Sequence, residues 1–526
     1  MKLRPAVVAA FALSLCLPLA FAQRPRRPRP PSGPPPHNPN AAKPYPQGDP
    51  ALGAPIVTHH SVTINGHTLQ YTATAGTLPI YTVVNHQREF EARMFFVAYT
   101  LDHHGSGPDR RPLTFSYNGG PGAASVYVHI GGFGPYRVAM NTNGTMPPPP
   151  FHMVVNQQTW LPFTDMVFVD AIGTGYSRAA SPAMLRRASG VQGDIAAFGA
   201  FIQQYLLQYN RISSPLFLAG ESYGTFRSAG LAGYLDSHGI ALNGVMLLSS
   251  VLNLQTISYA PGNDLPYVLY LPSLATIAWY HHKLSPRMEK EPVSEVAHQA
   301  EQWALHGYQQ DLDEGDQLQG AARQAAIAKM AHFTGLSPRF LDDFNLRVNT
   351  WNFMTQLLRG QKLIIGRLDA RITGFNRTPG NQFPDFDPSD AMTGPPFTQM
   401  FLQYVRNDLG YKSSIVYYTL GGGIDRWNWQ TRGGFGGGYA DTSKMLESAF
   451  AKNHYLHLFV GEGYYDLATP FFEAQYSIKH LFLPPAEQKN ITVAHLQVGH
   501  MIYLKRATRI QLQQDAQRFI TNAAAQ

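Results

Sequence analysis

The sequence holds one cysteine, Cys16, in 526 residues. A lone thiol closes no disulfide within the chain, so stability has to come from a packed core. Charged residues are scarce, at 14%. No HExxH pair occurs, and GGFGGG (433–438) lacks the Lys-Ser/Thr of a phosphate loop. DLDEGD (311–316) has its glycine in the wrong place for a calcium loop and reads as a solvated turn. The pairs His59-His60, His103-His104 and His281-His282 have no partner pattern for a metal and read as ordinary surface or core histidines. No metal or organic cofactor is implied.

Long apolar runs are missing too. The opening MKLRPAVVAAFALSLCLPLAFAQ has Lys2 and Arg4, a short apolar centre and the small-x-small site Ala20-Phe21-Ala22. That pattern predicts a secretory signal peptide at 1–22, too short for a stable membrane span, and hence a periplasmic or extracellular protein. Its removal takes Cys16 with it. Residues 23–50 are rich in Pro and Arg and read as a solvated linker. Of the formal charge of +7, two charges fall in the leader and a net four in the linker, leaving about +1 for the rest. A nearly neutral body argues against nucleic acid as a partner. The sequence leaves oligomeric state open.

What is present is alternation. SVTINGHTLQYTATAG reads as a hairpin about Asn65-Gly66. MFFVAYTL (94–101), LTFSYN (113–118), DMVFVD (165–170), PLFLAG (215–220) and VMLLSS (245–250) read as strands, the last three as runs buried on both faces. Helical stretches separate the later ones, which predicts a mostly parallel α/β sheet. From 256 to 450 the pattern turns helical, and strands return at LHLFVG (456–461) and ITVAHL (491–496). The reading is one α/β domain, 51–255 and 451–526, interrupted by a helical cap insertion at 256–450. Within the insertion, Arg367, Asp369 and Arg371 read as surface ion pairs, and LPYVLYLPSLATIAWYHH (265–282) reads mostly as core.

Gly220-Glu221-Ser222-Tyr223-Gly224 ends an apolar strand and opens a helix, the context a G-x-S-x-G elbow needs. The serine stands at the tip of the turn, close to helix N-terminal amides that favour a developing oxyanion. A serine needs a base, and the base an orienting acid, in the chain order Ser, acid, His. Asp466 and His500 both follow late strands and fill those places. Glu462 and Asp441 are rival acids, and His495 is a weaker base because it lies within a strand pattern. FSYNGGPGAAS (115–125) ends a strand in a glycine-rich turn able to bring backbone amides to an oxyanion.

Together, Asn118-Gly119-Gly120-Pro121-Gly122, FVDAIGTGYS (168–177), GESYG and GHM (499–501) resemble, in order, motifs of the serine carboxypeptidase family of α/β-hydrolases. The resemblance implies an α/β-hydrolase fold with a helical cap, and Ser222, Asp466 and His500 as the triad. It also implies the amides of Gly120 and Tyr223 as the oxyanion hole. Asn118 and Glu221, helped by the amide of Gly119, become binders of a peptide's C-terminal carboxylate. A substrate carboxylate facing Glu221 has to share a proton with it, which implies activity favoured at mildly acidic pH. The chain departs from the family's pattern at Ser116 (often Trp), at Ala123-Ala124-Ser125 (often Cys-Ser-Ser), and at Thr469 and Pro470 (commonly Cys and Asn). Lack of the family's disulfides resembles a bacterial exported branch. Two other readings stay open: an esterase or acyltransferase on small carboxylic esters, and a catalytically silent envelope-binding protein.

Overall fold

A computed structural model describes residues 45–102, 110–421, 424, 426–431 and 438–525. The expected leader, most of the linker, the pair His103-His104 and all but the last residue of 433–438 lie outside the described residues.

A ten-stranded sheet organises the chain. From one edge its strands run Ile56–Ile64, His67–Val84, Gln87–Leu101, Asp165–Val169, Leu113–Tyr117, Leu216–Glu221, Gly244–Leu248, His457–Gly463 and Ile491–Leu496. The short strand Arg178–Ala179 pairs beside Gln87–Leu101. The first three strands are antiparallel to their neighbours, and every pairing from Asp165–Val169 to Ile491–Leu496 is parallel. Asn65 and Gly66 turn the first hairpin with φ of 48° and 85°, the left-handed conformations a two-residue loop demands.

The period of two in the central strands sets the layers. Leu216, Leu218, Val245, Leu247, Leu458 and Val460 face one core, where the helices Val191–Gln208, Tyr223–Ser237 and Ser443–Lys452 pack. Phe217, Ala219, Met246, Leu248 and Phe459 face the other, against Phe397, Phe401 and Phe519 of the helices Pro388–Asn407 and Arg506–Ala524. Both faces are covered, so these strands are apolar throughout. This is the α/β-hydrolase fold: a mostly parallel sheet with a serine elbow at the carboxyl end of a central strand.

Packing divides residues 256–450 differently from the sequence expectation. The helices Leu265–Tyr280, Val293–Trp303, Gly320–Thr334 and Thr350–Gln356 form their own core with Tyr464, Tyr465 and Phe471. The later helices Pro388–Asn407 and Ser443–Lys452 instead cover the two faces of the main sheet. Their apolar residues match the sheet's cores, which spacing within a helix cannot reveal.

The expected linker also ends sooner. The Tyr45 hydroxyl donates to Tyr176 O at 2.7 Å. Buried Asp49 accepts from Ser413 Oγ at 2.8 Å and from the Ala51 amide at 3.0 Å. Residues 45–50 are therefore part of the folded body. Among the described residues no helix is long and apolar enough to cross a membrane.

Candidate active site

Ser222 sits between the strand Leu216–Glu221 and the helix Tyr223–Ser237 with φ 61° and ψ −132°. A non-glycine residue there is strained, and the neighbours hold it: its amide donates to Leu248 O at 3.0 Å and its carbonyl accepts from the Thr225 amide at 2.8 Å. A Cβ on Gly220 would lie 2.2 Å from Gly224 O, so the elbow closes only with glycine at that place.

Across from the elbow runs the loop that follows Leu113–Tyr117. A Cβ on Gly119 would stand 2.4 Å from the amide nitrogens of Tyr223 and Gly224. The glycine-rich turn is thus pressed against the first amides of the elbow helix. Arg227, fully buried one turn into that helix, donates to Asn118 O at 2.8 Å and to Asp194 at 2.7 and 3.2 Å. Its guanidinium lies 4.2 Å from the Phe198 ring centroid. Loop and helix are tied by that one side chain.

Asn118 Nδ2 donates to Glu221 Oε1 at 2.7 Å, while Asn118 Oδ1 accepts from the amides of Tyr127 and Val128 at 3.1 and 3.0 Å. The second Glu221 oxygen is buried with no hydrogen-bond partner. The Tyr503 phenol lies close enough to act on the Glu221 charge but outside hydrogen-bonding geometry. Burial pushes the Glu221 carboxyl up to about 7, against the opposing pull of His500, Tyr503 and Asn118.

Asp466 and His500 come from the loops after His457–Gly463 and Ile491–Leu496, held together where Tyr465 N donates to Val498 O at 3.1 Å. His500 Nδ1 and Asp466 Oδ2 are 2.6 Å apart and both residues are buried. Asp466 Oδ1 accepts from the amides of Ala468 and Thr469 at 2.7 and 3.2 Å, and Thr469 Oγ1 lies 2.9 Å from Oδ2. Burial alone would push the imidazole down, but the charge and hydrogen bond of Asp466 outweigh it and the net shift is upward. With Nδ1 committed to Asp466, Nε2 is the nitrogen free to accept a proton.

A cavity of about 800 Å³ joins these parts: Asn118, Gly119, Gly120, Glu221, Ser222 and His500 all line it. Tyr223 opens the elbow helix directly after Ser222, and Asp466 stands behind His500. The rival groups are employed elsewhere. Glu462 accepts from the Ser250 amide at 3.0 Å, Asp441 from the Ser443 amide at 2.7 Å, and His495 packs by Phe471 with Gln475 at 3.2 Å. Ser116 is fully buried with an unpartnered hydroxyl, so it reaches no substrate.

Sequence reasoning missed three contributors. Arg227 and Tyr503 carry no local signal in their flanking residues. Arg367, read as a surface residue, lines the cavity, because the chain leaving the cap passes His500, whose amide donates to Leu368 O at 2.6 Å. Asp369 and Arg371 do pair, at 2.6 Å, yet buried rather than on the surface.

Comparison with known proteins agrees with the motifs. The family model described as serine carboxypeptidase matches residues 80–331, which contain the glycine loop and the elbow. Over those residues the chain is similar to the serine carboxypeptidase family. Two Arabidopsis thaliana proteins are similar to it. Serine carboxypeptidase-like 33 is 27% identical over 208 residues, covering 39% of this chain and 40% of the relative. Serine carboxypeptidase-like 45 is 26% identical over 180 residues, covering 32% and 36%. The chain thus spans about two fifths of the length of the curated relatives it matches. Among solved structures, a proline iminopeptidase from Mycobacterium smegmatis aligns over 85% of this chain and 99% of its own, at 12% identity and TM-score 0.36. A carboxyl esterase from Bacillus coagulans aligns over 86% and 99%, at 11% identity and TM-score 0.35. The likeness to serine carboxypeptidases rests on the match over residues 80–331, and the fold on strand order, not on those two scores.

Proposed function

We propose that the protein is an exported serine carboxypeptidase, periplasmic or extracellular, that removes C-terminal residues from peptides through an acyl-enzyme. Ser222 Oγ attacks the carbonyl of the last peptide bond while His500 Nε2 takes its proton. The amides of Gly120 and Tyr223 receive the oxyanion. The C–N bond then breaks, His500 returns the proton to the leaving amine, and water repeats the sequence on the ester. Asp466 keeps Nδ1 protonated and steadies the imidazolium.

One observation carries the choice of carboxypeptidase: a buried Asn118–Glu221 pair beside Ser222 with a carboxylate oxygen left unsatisfied in the cavity wall. A buried polar atom without a partner is costly, and a substrate carboxylate sharing a proton with Glu221 would supply one. Export is supported by the leader pattern of residues 1–22.

Two measurements test this reading. An organophosphonate should label the protein, with peptide mapping placing the adduct on Ser222; an unlabelled protein would instead favour a silent binding role. A blocked dipeptide with a free C-terminus should be cleaved far faster than its amide. Equal rates would turn the reading toward the esterase or acyltransferase alternative.

A further inference from the structure

The strand Gly244–Leu248 lies between the elbow strand Leu216–Glu221 and the strand His457–Gly463. Its carboxyl end reaches every member of the proposed triad, two directly and one through Thr469. Leu248 O accepts from the Ser222 amide at 3.0 Å. The Val251 amide donates to Thr225 Oγ1 at 2.9 Å, and that hydroxyl donates to Ser222 O at 2.7 Å. Ser249 stands between these two contacts, fully buried, and its partners belong to the acid and the base. Its amide donates to Gly461 O at 2.9 Å, its hydroxyl donates to His500 O at 2.5 Å, and its carbonyl accepts from Thr469 Oγ1 at 3.0 Å.

Thr469 carries the last of these contacts onward. Its Oγ1 lies 2.9 Å from Asp466 Oδ2 and 3.2 Å from His500 Nδ1. Ser249 O and Asp466 Oδ2 compete for its one proton, so carbonyl, hydroxyl and carboxylate form a single cluster around Nδ1. His500 itself stands in a loop held from both sides, its amide by Leu368 O at 2.6 Å and its carbonyl by the Ser249 hydroxyl. Among the described residues no other group donates to that carbonyl. The Ser249 backbone has φ 53°, a left-handed value that glycine takes freely and serine does not. Backbone comfort alone would favour glycine at this place, but glycine has no hydroxyl to give His500.

We propose that Ser249 is a positioning residue of this catalytic centre: its hydroxyl fixes the His500 backbone and its carbonyl seats Thr469 against the Asp466–His500 pair, so that the base is presented to Ser222 in one orientation. Ser249 is fully buried and absent from the cavity wall, so it offers a substrate no contact of its own. It acts through His500 whatever the leaving group. The role therefore depends on the acyl-enzyme triad proposed above and not on the choice between peptide and ester.

Two variants separate the hydroxyl from the backbone. Ser249→Gly removes the hydroxyl and relieves the strained φ; Ser249→Ala removes the hydroxyl and keeps the strain. On an activated ester and on a blocked dipeptide with a free C-terminus, both should lose about tenfold or more in kcat, the scale of a misplaced catalytic group, with KM little changed. His500 is faced by Asp466, Glu221 and Arg367, and chiefly Asp466 raises it. Loosening that pair lowers the imidazole, so the acid limb of the kcat profile should move to lower pH in both variants. The melting temperatures should instead follow the backbone, with Ser249→Gly at least as stable as Ser249→Ala. Wild-type kcat in either variant, a kcat loss confined to Ser249→Ala, or an acid limb that stays in place overturns the assignment and leaves the carboxypeptidase reading intact. A wild-type protein that turns over the ester but not the dipeptide overturns the carboxypeptidase reading, and the ester then decides on Ser249. A wild-type protein that neither takes up an organophosphonate nor cleaves either substrate overturns both.

Discussion

Asn118 and Glu221 meet across 2.7 Å at the wall of the cavity, and only one of the two Glu221 oxygens is satisfied. The pair makes the pH dependence of binding predictable. Burial holds the Glu221 carboxyl at about 7, so below neutrality it is protonated and can donate to a substrate carboxylate. As pH rises through about 7 it ionises and repels that carboxylate, so kcat/KM for free-acid peptides falls. The opposite limb belongs to His500, raised by Asp466, which must lose its proton to act as a base. Glu221→Gln keeps a neutral donor at all pH values. The variant should lose the alkaline fall and keep the acid limb; pH–rate profiles on one peptide decide, and an unchanged fall removes Glu221 from this role.

How much of this was legible without coordinates depended on whether the signal was local. The elbow was readable because Gly220, Ser222 and Gly224 carry their own steric reason. Asp466 and His500 were readable because strand ends are marked by the switch from apolar runs to turns. The resemblance already set Asp466 ahead of Glu462, and the fold supplies a physical reason in their partners: the imidazole of His500 for one, the Ser250 amide for the other. Arg227 and Arg367 were invisible: their neighbours lie at Asn118 and His500, and nothing in the flanking sequence distinguishes a charge in a cavity wall from one on a solvated helix. The end of the cap was misjudged because Phe397, Phe401 and Phe450 suit any core, and only the sheet tells which.

Arg227 should act as a positioning residue. It is buried on the elbow helix and its three donor contacts tie Asp194 to the carbonyl just before the glycine loop. Arg227→Lys keeps the charge but cannot make all three bonds at once. Stability should drop by about 2 kcal/mol, the scale of a lost hydrogen bond to a charged group. If the brace also sets the loop, kcat should fall about tenfold or more with KM little changed, measured well below the melting temperature. A lowered melting temperature with kcat intact would confine Arg227 to the fold.

Glu473 offers a test of stability apart from catalysis. It is fully buried; one oxygen accepts from Thr256 and Ser477 hydroxyls at 2.7 Å each, and the other has no partner. Burial raises its carboxyl from 4.5 to about 7. The folded state thus holds the proton more tightly than the unfolded state. Its contribution is complete below about 4.5 and is lost as pH climbs through 7, by at most about 3 kcal/mol at 1.36 kcal/mol per pKa unit. Asp170, also raised to about 7 by burial, adds in the same direction. The melting temperature should therefore fall between pH 5 and pH 8, and Glu473→Gln should make that fall smaller. An equal fall in the variant would show that the site relaxes on ionisation.

Gly119→Ala probes the oxyanion hole through its geometry. The added methyl would sit 2.4 Å from two backbone nitrogens, Tyr223 N and Gly224 N, and neither can turn aside as a side-chain end could. Something must move by about an ångström: either the glycine loop or the start of the elbow helix. Both carry the amides proposed to receive the oxyanion, so either movement weakens at least one donor. Loss of one such donor costs about 10²–10³ in kcat. Binding of a non-reactive product acid at Asn118 and Glu221 should suffer less, because that pair is anchored separately by the Tyr127 and Val128 amides. The expected pattern is a kcat loss of that size with product inhibition changed by only a few fold. Near-wild-type kcat in Gly119→Ala would mean that the amides facing this loop do not hold the developing charge, and the oxyanion site would have to be sought elsewhere around Ser222.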